Sequence, residues 1–231
     1  MDRSEEEAEI VMRGRNGRSC LIGTLCSLVM AFALFPCLSS SADPAVEKIQ
    51  KAYQGIRDLK GSFVQKSHLK DLDRTDTFKG KFMIKLPAKM RWQYHGTDSQ
   101  DTEVIIANDE IIIYQKKDKQ AFRGKFDRDT YGQAPIALLG GFGNIEKEFD
   151  ITNKDGRLLL KPKKPMGAVV SIEITPSGGN FPIGSLTITD RLSNRIDITL
   201  SDITLNTGMA DAAFEFSLPM GVSMYELNGT R

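Results

Sequence analysis

From Lys60 onward the sequence takes up a period of two and keeps it for most of its length. Phe63, Gln65, Ser67 and Leu69 alternate with Ser62, Val64, Lys66 and His68. Farther on, Phe78, Gly80, Phe82, Ile84 and Leu86 alternate with Lys79, Lys81, Met83 and Lys85. Successive side chains of a strand point to opposite faces, so this pattern sets a greasy face against a wet one and restricts the chain to an antiparallel β architecture. Turn-forming punctuation divides it into eleven runs: Lys60–Lys70, Thr75–Leu86, Lys89–Tyr94, Glu103–Ala107, Ile111–Lys116, Gln120–Phe126, Glu148–Asn153, Leu158–Lys163, Ala168–Thr175, Ile183–Asp190 and Arg195–Leu205. The separators, among them Asn108-Asp109, Lys154-Asp155-Gly156 and Leu192-Ser193-Asn194, have hairpin length and chemistry.

Two segments read as helix. Asp43-Pro44 supplies an N-cap and a proline at the first helical position, and Val46, Ile49, Tyr53 and Ile56 recur at helical spacing to about Asp58. Tyr131–Gly143 interrupts the strands with Ala134-Pro135-Ile136-Ala137-Leu138-Leu139 and ends in Gly140-Gly141. The expected fold is mainly β: one large curved sheet with two or three helices, without internal repeats.

The first 42 residues read as a signal peptide. Arg13, Arg15 and Arg18 precede an uncharged apolar run from Ser19 to Ser41, and Ser40-Ser41-Ala42 offers a small-residue cleavage site. The run is also long enough to serve as an uncleaved anchor. The acidic residues Asp2, Glu5, Glu6, Glu7 and Glu9 are unusual ahead of such a run, and a start at Met12 would give a more ordinary basic leader. Cleavage after Ala42 leaves residues 43–231, a length that suits one domain. Cys20, Cys26 and Cys37 all lie in the leader, so the processed chain would carry no disulfide into an oxidising compartment.

Several function classes are disfavoured. Thirty-one basic against 30 acidic side chains give no field for nucleic acid. His68 and His95 are the only histidines, too few for a histidine metal cluster. There is no G-x-S-x-G elbow, and Leu139-Gly140-Gly141-Phe142-Gly143 lacks the Lys and Ser/Thr of a phosphate loop. The chain therefore reads as a non-enzyme without cofactor or metal. The lysines at Lys79, Lys81, Lys85 and Lys89 fit an exposed face kept soluble and protected against edge pairing, with docking to an anionic membrane as the alternative.

A sheet of this size presents more inner surface than two short helices can cover, so it either closes on a packed interior or encloses a cavity. The segments in question are Gly61–Lys66, Gly80–Trp92, the hairpin Val104–Tyr114, Pro135–Leu139 and Phe214–Val222. In their order and spacing they resemble the LolA-like periplasmic carriers of outer-membrane lipoproteins, over essentially all of residues 44–227.

The resemblance implies an unclosed eleven-stranded barrel capped by helices, with an apolar cavity that takes the acyl chains of lipoproteins. It implies a monomer that receives cargo from an inner-membrane ABC transporter and gives it to an outer-membrane receptor. The cavity would be lined by Phe63, Phe82, Ile84, Met90, Trp92, Ile105, Ile113, Ile136, Leu138 and Leu139. The family often has a basic lid latch before the proline matching Pro87. Leu86 stands there, with Arg91 as a substitute, and Gly140 and Gly141 would be the lid's flexible end. A related binder or sensor of another lipid, or of mislocalised lipoprotein, is the alternative.

Overall fold

The structure, a computed structural model, describes residues 43–96, 101–126 and 145–227. Twelve strands form a single unclosed sheet. The first meander runs β1 (Asp58–Leu69), β2 (Arg74–Lys85), β3 (Lys89–His95), β4 (Thr102–Ala107), β5 (Glu110–Gln115) and β6 (Gln120–Lys125). The second runs β7 (Phe149–Lys154), β8 (Arg157–Pro162), β9 (Val169–Pro176), β10 (Ile183–Asp190) and β11 (Arg195–Leu205). Antiparallel pairing of β1 with β11 joins the two meanders, so β1 sits mid-sheet.

β12 (Ser223–Glu226) corrects the expected strand count by one. It adds in parallel to the outer edge of β6, with Met224 opposite Ala121 and Tyr225 opposite Phe122. It has four residues, only one of them half-buried, and no hairpin turn leads into it, so alternation gives no sign of it. The hairpin turns behave as their residues require: Asn108, Asp109, Asp155 and Gly156 all take positive φ in two-residue loops.

Helix α1 (Pro44–Gln54) begins as expected, with Asp43 Oδ1 accepting from the Ala45 N–H at 2.8 Å. It ends about four residues early because the chain turns at Gly55: the Gly55 N–H donates to the Ala52 carbonyl and the Ile56 N–H to that of Tyr53. Its inward residues Val46, Ile49 and Tyr53 join the main apolar cluster. The helix expected over Tyr131–Gly143 lies outside the described residues, as does the expected signal peptide; the one-turn α2 (Ile145–Glu148) leads into β7.

Candidate functional site

The inner face of β1–β5 is built by parity. Pairing sets Leu59 opposite Ile84, Phe82 opposite Trp92, Met90 opposite Ile106 and Ile106 opposite Ile111. All are buried and belong to one cluster with α1 and the inner faces of β8–β11. At its centre Trp92 lies between Phe63 (centroids 4.2 Å apart) and Phe82 (5.2 Å), and Tyr94 meets Phe63 edge-on at 5.3 Å. Such ring contacts add about 0.5–1.5 kcal/mol each beyond the area they bury. Two glycines make room for them. A Cβ on Gly80 would strike the Phe63 ring and the Gln93 carbonyl, and one on Gly61 would meet Ile203 at 2.6 Å and the Phe82 ring at 3.1 Å. Each ring thus crosses to the glycine on the neighbouring strand.

The apolar face ends in polar groups. The Tyr94 hydroxyl donates to Gln65 Oε1 at 3.2 Å, and Gln65 Nε2 donates to Ser67 Oγ at 3.0 Å. Burial pushes the Tyr94 phenol up to about 12, keeping it neutral, and the nearby indole of Trp92 only partly opposes the rise. Trp92 Nε1 itself is buried without a partner in hydrogen-bond geometry.

Phe63, Phe82, Ile84, Met90 and Trp92 are therefore brought together on this face, and Ile113 and Leu86 pack half-buried against them. Ile136, Leu138, Leu139, Gly140 and Gly141 lie outside the described residues. Two expected residues belong elsewhere. Ile105 pairs with Arg91 and Ile112, which puts it on the outer face; Ile106 takes the inner position. Val104-Ile105-Ile106-Ala107 is continuously apolar because both faces are covered here, so alternation could not set its parity. Arg91 likewise points outward. Its Nη2 donates to the Glu215 carbonyl at 2.6 Å and its Nε lies 3.4 Å from Glu103 Oε1, so it holds the C-terminal segment rather than a lid on the inner face.

That segment, residues 206–222, is a strap over the outer face. Asp58 anchors its start: the buried carboxylate accepts from the Thr207 N–H and Oγ1–H and from the N–H groups of Gly208 and Met209, at 2.7–3.3 Å. Burial alone would raise its pKa, but these bonds outweigh that and hold it below the usual carboxylate range. Asp211 bridges Lys85 (2.6 Å) and Lys89 (2.9 Å), which lower it to about 2. Phe214 is buried on the outer side of the sheet, and Phe216 meets Tyr114 at 5.4 Å. Between strap and sheet is a cavity of about 330 Å³, bounded by Ile105, Ile112 and Phe214 but also by Lys89, Arg123 and Glu215. The sequence signalled the strap only through the end of alternation at Leu205 and the family-like ending Phe214–Val222, without its place over the outer face, and Asp58 not at all.

A family model described as "Outer membrane lipoprotein carrier protein LolA" matches residues 54–217. The chain belongs to the LolA family. Among curated LolA-type relatives, the outer-membrane lipoprotein carrier protein of Cupriavidus pinatubonensis is 27% identical over 217 residues, covering 90% of this chain and 98% of that one. That of Neisseria meningitidis serogroup B is 24% identical over 206 residues, covering 87% and 93%. A solved LolA superfamily protein from Nitrosomonas europaea aligns with a TM-score of 0.48 and 10% identity, over 74% of this chain and 96% of that one. The LolA match begins at Gln54 and so takes in both the aromatic inner face and most of the strap. Among the described residues no group of three or more His, Cys, Asp or Glu side chains could hold a metal, and no helix is long and apolar enough to cross a membrane.

Proposed function

We propose that this protein is a periplasmic lipoprotein carrier. It binds the acyl chains of its cargo against the inner face around Trp92 and moves them from an inner-membrane ABC transporter to an outer-membrane receptor. The observation that carries the reading is the continuous apolar inner face, aromatic at its centre and free of charged groups, in a chain of the LolA family. On this reading the leader through Ala42 is removed on export, residues 43–231 act as one monomeric domain, and no cofactor or covalent step is needed.

Exposing lipid chains to water costs about 0.8 kcal/mol per CH₂, so two or three long chains impose roughly 20–35 kcal/mol. Release into water is negligible at that cost, and cargo must pass directly from one apolar surface to another. The cover over the inner face must move to admit it. Helix α1 and the segment 135–143, with Gly140 and Gly141 at its end, are the elements assigned that role, with Leu86 at the rim and Phe63, Phe82, Ile84, Met90, Trp92, Ile113 and Ile106 as the wall.

Trp92 is the only tryptophan and supplies its own readout. Titration with a fluorescent fatty-acyl probe should give saturable binding that shifts Trp92 emission and is competed by palmitate. Met90→Glu should abolish that binding by placing a carboxylate in the path of the chains. A wild-type protein that binds no acyl probe would refute the carrier reading.

A further inference from the structure

The outer face of the sheet divides into three parts. Over β3–β6 it lies beneath the strap. Over β8–β11 it carries the pairs Arg157–Glu173 and Arg195–Asp197 and one lysine, Lys161, that makes no ion pair among the described residues. Between them the outward side of β1 and β2 carries Lys60, Lys66, Lys79 and Lys81, all exposed and, among the described residues, without an ion pair or hydrogen bond.

Register makes these four a single patch. Lys79 lies opposite Val64 and Lys81 opposite Ser62, while Lys66 and Lys60 are the next outward residues on β1 at either side. From strand spacing, the steps Lys66 to Lys79, Lys79 to Lys81 and Lys81 to Lys60 are each roughly 7–8 Å between backbones. That is within the Debye length of about 8 Å at physiological salt, so the charges act together. The outward β1 and β2 residues among them, Ser62, Val64, Thr77 and Met83, are uncharged, and Asp197, opposite Lys66 on β11, is already engaged by Arg195.

Protection against edge pairing does not account for these lysines, because β1 and β2 are interior strands of the sheet and not its edges. Nor does a general basic excess, since the whole chain is nearly balanced at +1. Positive charge has been gathered on one face, where it repels itself unless an external anion neutralises it.

We propose that this face docks onto a bilayer through anionic lipid headgroups, holding the protein reversibly at the membrane surface. The patch is an open sheet face, and its cations are lysines on flexible stems. Point charges of this kind suit a diffuse field of headgroups; recognition of a shaped acidic protein favours the rigid fork of arginine. Val64 and Met83, both only half-buried, give the patch an apolar component. The proposal holds whether or not the inner face carries acyl chains.

Co-sedimentation of the purified protein with phosphatidylcholine vesicles, with and without phosphatidylglycerol, tests it. At low salt the bound fraction should rise about tenfold or more with phosphatidylglycerol and return to the phosphatidylcholine value at high salt. The triple variant Lys66→Gln/Lys79→Gln/Lys81→Gln should lose that gain while keeping its melting temperature and its acyl-probe binding. Equal binding to both vesicle types would overturn the proposal, as would a folded triple variant that binds phosphatidylglycerol like the wild type. A wild type that ignores both vesicles, beside a triple variant that still fails to deliver cargo, would overturn it in favour of an acidic protein partner. Acyl-probe binding is read separately, so failure here leaves the carrier reading standing, and the reverse.

Discussion

The β3–β5 part of the sheet carries apolar side chains on both of its sides, yet the two sides are covered by different means. On the outer side Ile105 and Ile112 lie with Phe214 of the strap, which is fixed by directional polar bonds: four to the buried Asp58, the Asp211 bridge to Lys85 and Lys89, and Arg91 to the Glu215 carbonyl. On the inner side Met90, Trp92, Ile106 and Ile111 share their cluster with Val46, Ile49 and Tyr53 of α1. That helix is tied down by exposed contacts, Asn153 Nδ2 to Asp43 Oδ2 at 2.7 Å and Lys48 Nζ to the Ser177 carbonyl at 3.4 Å. Apolar contact is non-directional, and exposed hydrogen bonds exchange readily with water. The outer cover is thus held by directional bonds, whereas the inner cover rests mainly on apolar contact.

The sharpest way to break this contrast is to remove the outer pin. Phe214→Ala should destabilise the fold by about 3–5 kcal/mol in denaturant unfolding and leave acyl-probe affinity unchanged; a loss of probe binding at full stability would mean the faces have been assigned the wrong way round. The neighbours Ile105 and Ile106 sharpen it. Each truncation to Ala should cost about 2–4 kcal/mol, but only Ile106→Ala should weaken the probe. Asp58→Asn, which turns an amide toward backbone donors, should cost about 1–3 kcal/mol and detach the strap, seen as faster hydrogen exchange at Thr207–Met209.

The smallest effect is one of pH. Asp58 and Asp211 both have folded pKa values below the unfolded one, so their stabilisation is complete above the ordinary carboxylate value of 3.8 and is lost as pH falls toward about 2 for Asp211. Acid titration of stability should therefore be less steep in Asp211→Asn than in the wild type over that window. A wild type whose stability is flat there would show that these bonds do not hold the strap.

The meanders were legible in the sequence because most strands have one wet face, so residues such as Lys79 and Lys81 mark the parity of Phe78, Gly80 and Phe82. Legibility failed where that contrast vanished. Val104–Ala107 is apolar on both sides, which hid the fact that Ile106 faces inward and Ile105 outward. Asp58 looked like the end of a helix because nothing local distinguishes a carboxylate that will be buried by residues about 150 positions away. The glycines were visible as letters, but the need for Gly61 and Gly80 follows from aromatic rings on the adjoining strand.

β12 bears on how the molecule is assembled. Its partner β6 lies roughly a hundred residues earlier in the chain, and the pairing is parallel, a combination that forms late because so much chain must first be gathered in. Until then β6 presents a row of open backbone donors and acceptors, the kind of edge on which chains stick to one another. Deleting Ser223–Glu226 should therefore do more harm to the yield of refolding at high protein concentration than to the stability of what has already folded. The strand acts as a closing stitch, and its value lies in the aggregates it prevents.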